Sequence, residues 1–218
     1  MKIVVVSNEN LASVFLKMPR LIYKGDKNYI QPLDKDIEEV FDEKKNKFFR
    51  HGTCERWLLY DAQECCIGRL AVFCNKKYQQ EQPTGGIGFF ECINNQEAAN
   101  FLFEEAKKWL QQQGMDAMDG PINFGERDRW WGLLVNGFDE PLYCMNYHPP
   151  YYQQLFETYG FKAYFHQLCF GMDVSTPLSD KMHRWHDHYA KHPDFHVEHI
   201  LKTNLDKYAS DFSIIYNK

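Results

Sequence analysis

The chain has 218 residues, 44% of them hydrophobic and 16% aromatic, and a formal net charge of −5. That composition supports a sizeable core without disulfides, and the acidic balance gives no cationic surface for nucleic acid or anionic lipid. Only four consecutive apolar residues, Ile3 to Val6, precede Ser7, which is too short for a secretory segment or a membrane span, so the expected compartment is the cytoplasm. The seven cysteines are odd in number and form no Cys-x-x-Cys pair, and they read as reduced core residues rather than as a zinc site or a nucleophile.

In chain order, 2–6 reads as a strand and Asn8 or Asn10 as the cap of a helix beginning near Leu11. Residues 19–56 mix prolines, charges and aromatics, which predicts short helices and loops and a possible substrate-side lid carrying His51. Strands 57–60 and 66–73 are joined by the polar stretch 61–64 as a hairpin. Strand 87–93 follows, then a helix to Gln113 with Leu102, Ala106, Trp109 and Leu110 on its apolar face and Gly114 as its stop. A short strand, 115–118, ends at Gly120-Pro121. Pro149 and Pro150 suit the first turn of a helix that stops at Gly160, and 161–170 reads as one more strand.

The stretch 145–161 resembles the helix that closes the acetyl-CoA site of GNAT-type N-acetyltransferases, Asn-x-x-Ala-x-x-Leu-Tyr-Glu-Lys-x-Gly-Phe, through Leu155, Glu157, Gly160 and Phe161. Phe156 stands at the tyrosine that protonates the leaving thiolate in that family, and Pro149 stands at the asparagine. The blocks at 88–91, 109–115, 120–123, 132–139 and 146–152 are similar in order and content to an uncharacterised GNAT-like family marked by Gly-Phe-Phe-Glu and Gly-Pro-x-Asn. The resemblance implies an α/β (α+β) fold of GNAT type, a mixed and mostly antiparallel sheet flanked by helices. It further implies a GNAT-like domain over 1–175, a linker or helix over 176–193, and a segment 194–218 similar to the opening strand and helix of a second such unit.

The same resemblance implies transfer of an acyl group from acetyl-CoA or another acyl-CoA to the amine of a small molecule, in a chain that pairs with a second GNAT-like unit or forms a homodimer. The cofactor loop would run through Cys92, Ile93, Asn94, Glu97, Ala98 and Ala99, with Glu97 where the family has a glycine. Asn94-x-x-Glu97 also reads as a capping box that serves only the helix. Glu91 is the expected base, or else a solvent-facing residue of an alternating strand; Tyr152, one turn before Phe156 and on its face, is the expected acid. His51, Asn123 and Arg127 are the candidate substrate residues, and the pairing of Arg127 and Arg129 with Trp130 and Trp131 suits either an anionic or planar ligand or a packed lid. Six of nine histidines lie between His183 and His199, but their spacing gathers no metal set on one helical face. The alternative to an enzyme is a ligand-binding or interaction module that kept the scaffold and lost the loop.

Overall fold

A computed structural model describes residues 1–77 and 81–217. The chain divides into two compact units, Met1–Gln167 and Leu168–Lys218.

The first unit is built on one five-stranded sheet in the order β1-β2-β3-β4-β5, with β1 Lys2–Val5, β2 Gly52–Tyr60, β3 Cys66–Asn75, β4 Thr84–Cys92 and β5 Ala117–Asp119. The first four strands are antiparallel in sequence, and β5 is parallel to the start of β4 through Thr84↔Ala117, Gly85↔Met118 and Gly86↔Asp119. This is the mixed, mostly antiparallel sheet flanked by helices that the sequence predicts. The β2–β3 turn forms because Asp61 Oδ1 accepts the amides of Gln63 and Cys65 at 2.9 and 2.8 Å, a side chain substituting for backbone partners at the turn.

Helices cover both faces. On one lie α1 Glu9–Lys17, α2 Pro19–Ile22 and α3 Asp34–Phe41, followed by a 3-10 turn Lys47–Arg50. Asn8 caps α1 by accepting from Leu11 N at 2.9 Å. Asn46 fastens the 3-10 turn, donating to the carbonyls of Val40 and Phe124 and accepting from Phe48 N. Phe15, Ile37, Leu58, Phe73 and Phe124 form the core of this face. On the other lie α4 Gln96–Gln112 and α5 Tyr151–Tyr159, whose Leu102, Phe103, Ala106, Leu155 and Phe156 pack on Leu59, Leu70, Val72, Ile87 and Phe90. Gly160 takes a φ of +119° and ends α5 in the left-handed region that glycine alone enters freely.

β4 holds the irregularity that matters for the site. Arg69 pairs with Glu91 and Ala71 with Gly88, so three residue steps on β4 oppose two on β3, and Phe89 sits at φ +48° in the extra position. Gly88 is required beside it: a Cβ there would lie 2.0 Å from the carbonyl oxygen of Ile122, which passes alongside with its own N–H bonded to Ile87 O at 2.7 Å.

Several expectations need correction. Trp109 is only partly buried at the rim of α4, because its indole N–H reaches Glu55 at 2.8 Å. Cys65 and Cys169 are exposed, so only Cys74, Cys92 and Cys144 are fully buried among the seven free thiols. Residues 161–170 and 195–200 carry strand-type residues but form no strand, since no described neighbour supplies a ladder to them. The second unit holds α6 Asp180–Ala190 and α7 Leu205–Tyr216, the latter as predicted over 204–216, and neither helix has a buried residue. Among the described residues no helix is long and apolar enough to cross a membrane.

The two halves of the α4 stripe should separate by mutation. Leu102→Ala, which empties a fully buried site, is expected to cost about 2–5 kcal/mol. Trp109→Ala should cost less, in a comparison of urea midpoints, because its ring already touches solvent; equal losses would place Trp109 inside the core.

Candidate active site

The extra residue in β4 decides where Glu91 points. By simple alternation Glu91 would share the α4 face with Ile87; after the bulge, Phe90 and Cys92 continue that face, while Phe89 packs against the α1–α3 core and Glu91 turns with it. There Arg69, its partner on β3, lies with Nη2 3.4 Å from Glu91 Oε1 and donates from Nη1 to Phe15 O at 2.6 Å. The guanidinium also stands over the Phe15 ring, 4.7 Å from its centroid.

Two phenols complete the carboxyl's shell. Tyr152, from α5, donates to Glu91 Oε2 at 2.8 Å and accepts the Cys92 amide at 2.8 Å. Tyr23, the residue after α2, lies with its hydroxyl 3.0 Å from the same Oε2 and 2.9 Å from the Tyr147 carbonyl. Its ring is stacked face to face on Tyr29 at 3.8 Å. Glu91 is 6% exposed and Tyr152 fully buried. Burial therefore pushes the Glu91 carboxyl above its ordinary range, against the opposing pull of Arg69 and of the hydrogen bonds from Tyr152, Tyr23 and Arg69. Burial, then the neighbouring Glu91, raises the phenols of Tyr152 and Tyr23 as well, so both are neutral donors.

A cavity of about 40 Å³ adjoins the cluster, lined among others by Glu91, Arg69, Tyr29, Trp130 and His148. His148 is neutral, its imidazole lowered to about 3 by burial, and its Nδ1 accepts the Leu134 amide at 3.1 Å.

The structure therefore brings together Glu91 and Tyr152, which the sequence nominated, and adds Tyr23, Arg69 and His148, which it did not. Tyr23 lay in a stretch read as loops and short helices, and the aromatic content of 19–56 was the one signal for it. The solvent-facing reading of Glu91 is overturned by its burial.

The loop at 92–99 is differently disposed from the expectation. The cap of α4 is Asn95, not Asn94: Asn95 Oδ1 accepts Ala98 N at 2.9 Å and Asn95 O accepts Ala99 N at 3.1 Å. Ala98 and Ala99 are buried, Asn94 and Glu97 are exposed, and Gln96 is tied to α5 through Leu155 O at 3.0 Å. Asn95 N–H is itself bonded to Ile93 O, so Asn95 leaves only the amides of Gln96 and Glu97 open in the first turn of the helix. Ile93 donates to Ile67 O, and Cys92 is bonded on both sides, its N–H to Tyr152 and its C=O to the Tyr151 hydroxyl at 2.8 Å. Residues 92–99 thus do not fit a diphosphate cradle, which needs several convergent free amides. His51 is exposed at the end of the 3-10 turn, away from these contacts. Asn123 and Arg127 instead line a separate cavity that shares no lining residue with the Glu91 cavity. Of the paired tryptophans, Trp130 is buried against Phe89 at 5.2 Å, and Arg127 stands over Trp131 at 4.9 Å. Among the described residues no three His, Cys, Asp or Glu side chains are grouped to hold a metal ion.

The two buried titrating groups bias stability in opposite directions. His148, depressed from 6.5 to about 3, favours the native state above 6.5, and that contribution is lost as pH falls toward 3, at roughly 1.4 kcal/mol per pH unit. Glu91, raised, keeps its proton when the unfolded chain has lost it, so its contribution is present below the unfolded carboxylate value and declines as pH rises through about 4.3. Denaturant unfolding against pH should show Glu91→Gln removing the decline on the alkaline side of pH 4.3 and leaving the acid loss intact. An unchanged alkaline decline would mean that Glu91 is ionised throughout.

No family model matches the chain. Protein YghO of Escherichia coli (strain K12) is 28% identical to it over 157 residues, 71% of this chain and 40% of that protein. The bacterial ceramide synthase of Caulobacter vibrioides (strain NA1000 / CB15N) is 29% identical over 143 residues, 63% of this chain and 36% of that protein. The chain therefore spans about two fifths of the length of these curated relatives. Among solved structures, a probable acetyltransferase superposes with a TM-score of 0.43 at 13% identity, covering 81% of this chain and 100% of its own. The aminoglycoside antibiotic 6'-N-acetyltransferase AAC(6')-Ih from Acinetobacter baumannii gives 0.44 at 12% identity, covering 79% of this chain and 98% of its own.

Proposed function

We propose that the chain carries out N-acyl transfer, moving an acyl group from an activated donor to an amine, with Glu91 as the base and Tyr152 as the acid. The observation that carries this reading is the direct 2.8 Å hydrogen bond between the two groups in a buried site. Attack of an amine on an acyl carbonyl forms a C–N bond and breaks the bond to the leaving group, and it requires one proton to leave nitrogen and one to reach the leaving atom. Glu91 takes the first, directly or through a water; Tyr152 gives the second from its phenol and recovers it from Glu91 along the existing bond. The pair ends in its starting state. Burial raises the carboxyl above its ordinary range, which makes its carboxylate a stronger base.

The resemblance implies acyl-CoA as donor, which when bound supplies an activated thioester. No step is assigned to its phosphates, because 92–99 offer them no cradle. The relative named a ceramide synthase supports an amine acceptor, a ceramide being the amide of an amino alcohol. The capped α4 start and the saturated Cys92 peptide favour a second reading, a GNAT-derived module that binds a ligand without turnover.

The two readings part on assay. Acetyl-CoA should bind the chain weakly, with a Kd of about 1 mM or above by calorimetry, equivalent to roughly 4 kcal/mol. A long-chain acyl thioester with an amino alcohol should yield amide detectable by mass spectrometry. Glu91→Gln and Tyr152→Phe should each lower kcat by about 10²–10⁴, while Tyr159→Phe, whose hydroxyl is spent on Glu104, leaves it unchanged. Folded protein that forms no amide with any acyl thioester tried would replace the enzyme with the module.

A further inference from the structure

The cavity that holds Asn123 and Arg127 lies at the opposite end of β4 from Glu91. It encloses about 310 Å³ and reaches Thr84, Gly85 and Gly86 at the start of the strand. Five residues separate Gly86 from Glu91, on the order of 15 Å at the rise of an extended strand, too far for one small substrate to span as a reactive group. The volume is at the lower end of the range for small-molecule sites.

Three features indicate what would enter it. First, the walls are aromatic: Phe73 and Phe124 stand 5.2 Å apart, Phe48 meets Phe124 edge-on at 6.0 Å, and Trp131 closes the mouth under the Arg127 guanidinium. Second, the floor is glycine because the rings need the room: a Cβ on Gly86 would fall 2.3 Å from the Phe73 ring. Third, Asn123 is 5% exposed, and its side-chain oxygen is buried with no hydrogen-bond partner among the described residues. An unpartnered buried amide oxygen is costly to keep, so its retention among phenyl rings calls for a donor that arrives from outside.

We infer that this cavity is a second ligand site, for a flat heteroaromatic ring carrying an N–H donor, of indole or purine size, packed against the aromatic wall, with its N–H on Asn123 Oδ1 once the side chain turns that atom toward the cavity. The ring gains edge and face contacts with Phe48, Phe73 and Phe124, and the N–H supplies the bond that the apo protein lacks. A charged ligand is disfavoured inside, since among the described residues the wall carries no charged group beyond the exposed Glu126 and Arg127 at the rim. The site is independent of the acyl-transfer reading, and its test needs no turnover.

The probe is indole, compared with 1-methylindole, which keeps the ring and loses the donor. In protein-observed NMR, indole should shift the amides of Gly85 and Gly86 and the side-chain amide of Asn123, and should bind at least tenfold more tightly than 1-methylindole. Asn123→Leu, which keeps the branched skeleton and lacks the orphan oxygen, should bind the two probes equally. Equal binding of both probes by the native protein, or no shift at these three residues, overturns the proposal. The probe comparison on the native chain decides the matter even where the variant fails to fold.

Discussion

The one extra residue in β4 is the constraint on which the rest of the site depends. A strand alternates its side chains, so the face of Glu91 is fixed by the count of residues between it and Ile87; inserting Phe89 in a left-handed conformation reverses that count. Without the insertion, the carboxyl would be driven among Leu102, Phe103 and Phe156, where no donor awaits it. With it, Glu91 faces Arg69 across the ladder and Tyr23 beyond the strand, while Phe90 takes the vacated core position against Phe103 and Phe156 at 4.9 and 5.0 Å. The cost of a strained Phe89 is offset by its rings' neighbours, Phe15, Phe41 and Trp130.

The same end of β4 explains why scaffold and cofactor loop diverge. β5 pairs only with the first three residues of β4, so the outer edge of Cys92 is left without a strand partner. An open edge offers an N–H and a C=O to any extended ligand. Here α5 fills it: of the consecutive tyrosines 151 and 152, Tyr152 accepts the N–H of Cys92 and Tyr151 donates to its C=O. That bonds both backbone groups of Cys92 and simultaneously aims Tyr152 at Glu91, so the contact that would complete the proposed acid–base pair is also the contact that closes the edge. A donor that needs this edge must first displace the two phenols.

How much of this was legible in the sequence follows from which forces are local. The hairpin turn at Asp61, the α4 stripe and the glycine stops are set by near neighbours, and they were readable. Tyr152 was found because helical spacing placed it on the face of Phe156. The bulge was not, since Gly-Phe-Phe-Glu gives no hint which phenylalanine is the extra one; that choice is made by Gly88 and the chain at Ile122, more than thirty residues away. Tyr23 and Arg69 meet Glu91 only through tertiary packing, and Asn95 outcompeted Asn94 as cap by a single residue, the margin within which a sequence rule cannot choose. The 161–170 segment was misread because strand propensity was mistaken for strand pairing.

The hydroxyl of Tyr23 has one proton and two acceptors within reach, Glu91 Oε2 at 3.0 Å and Tyr147 O at 2.9 Å. When Glu91 is ionised, Tyr23 gives its proton to Oε2, and Arg69 and Tyr152 add two further bonds to the charge. When Glu91 is protonated, the carboxyl can donate from Oε2 to the Tyr23 oxygen, and Tyr23 turns its proton to the Tyr147 carbonyl. Either state leaves every hydroxyl with a partner and moves no heavy atom. A buried carboxyl ordinarily resists changing charge because its surroundings are organised for one form. A phenolic hydrogen that can turn between two acceptors lowers that resistance at this site, so the position of Tyr23 suits the proton transfer proposed for Glu91.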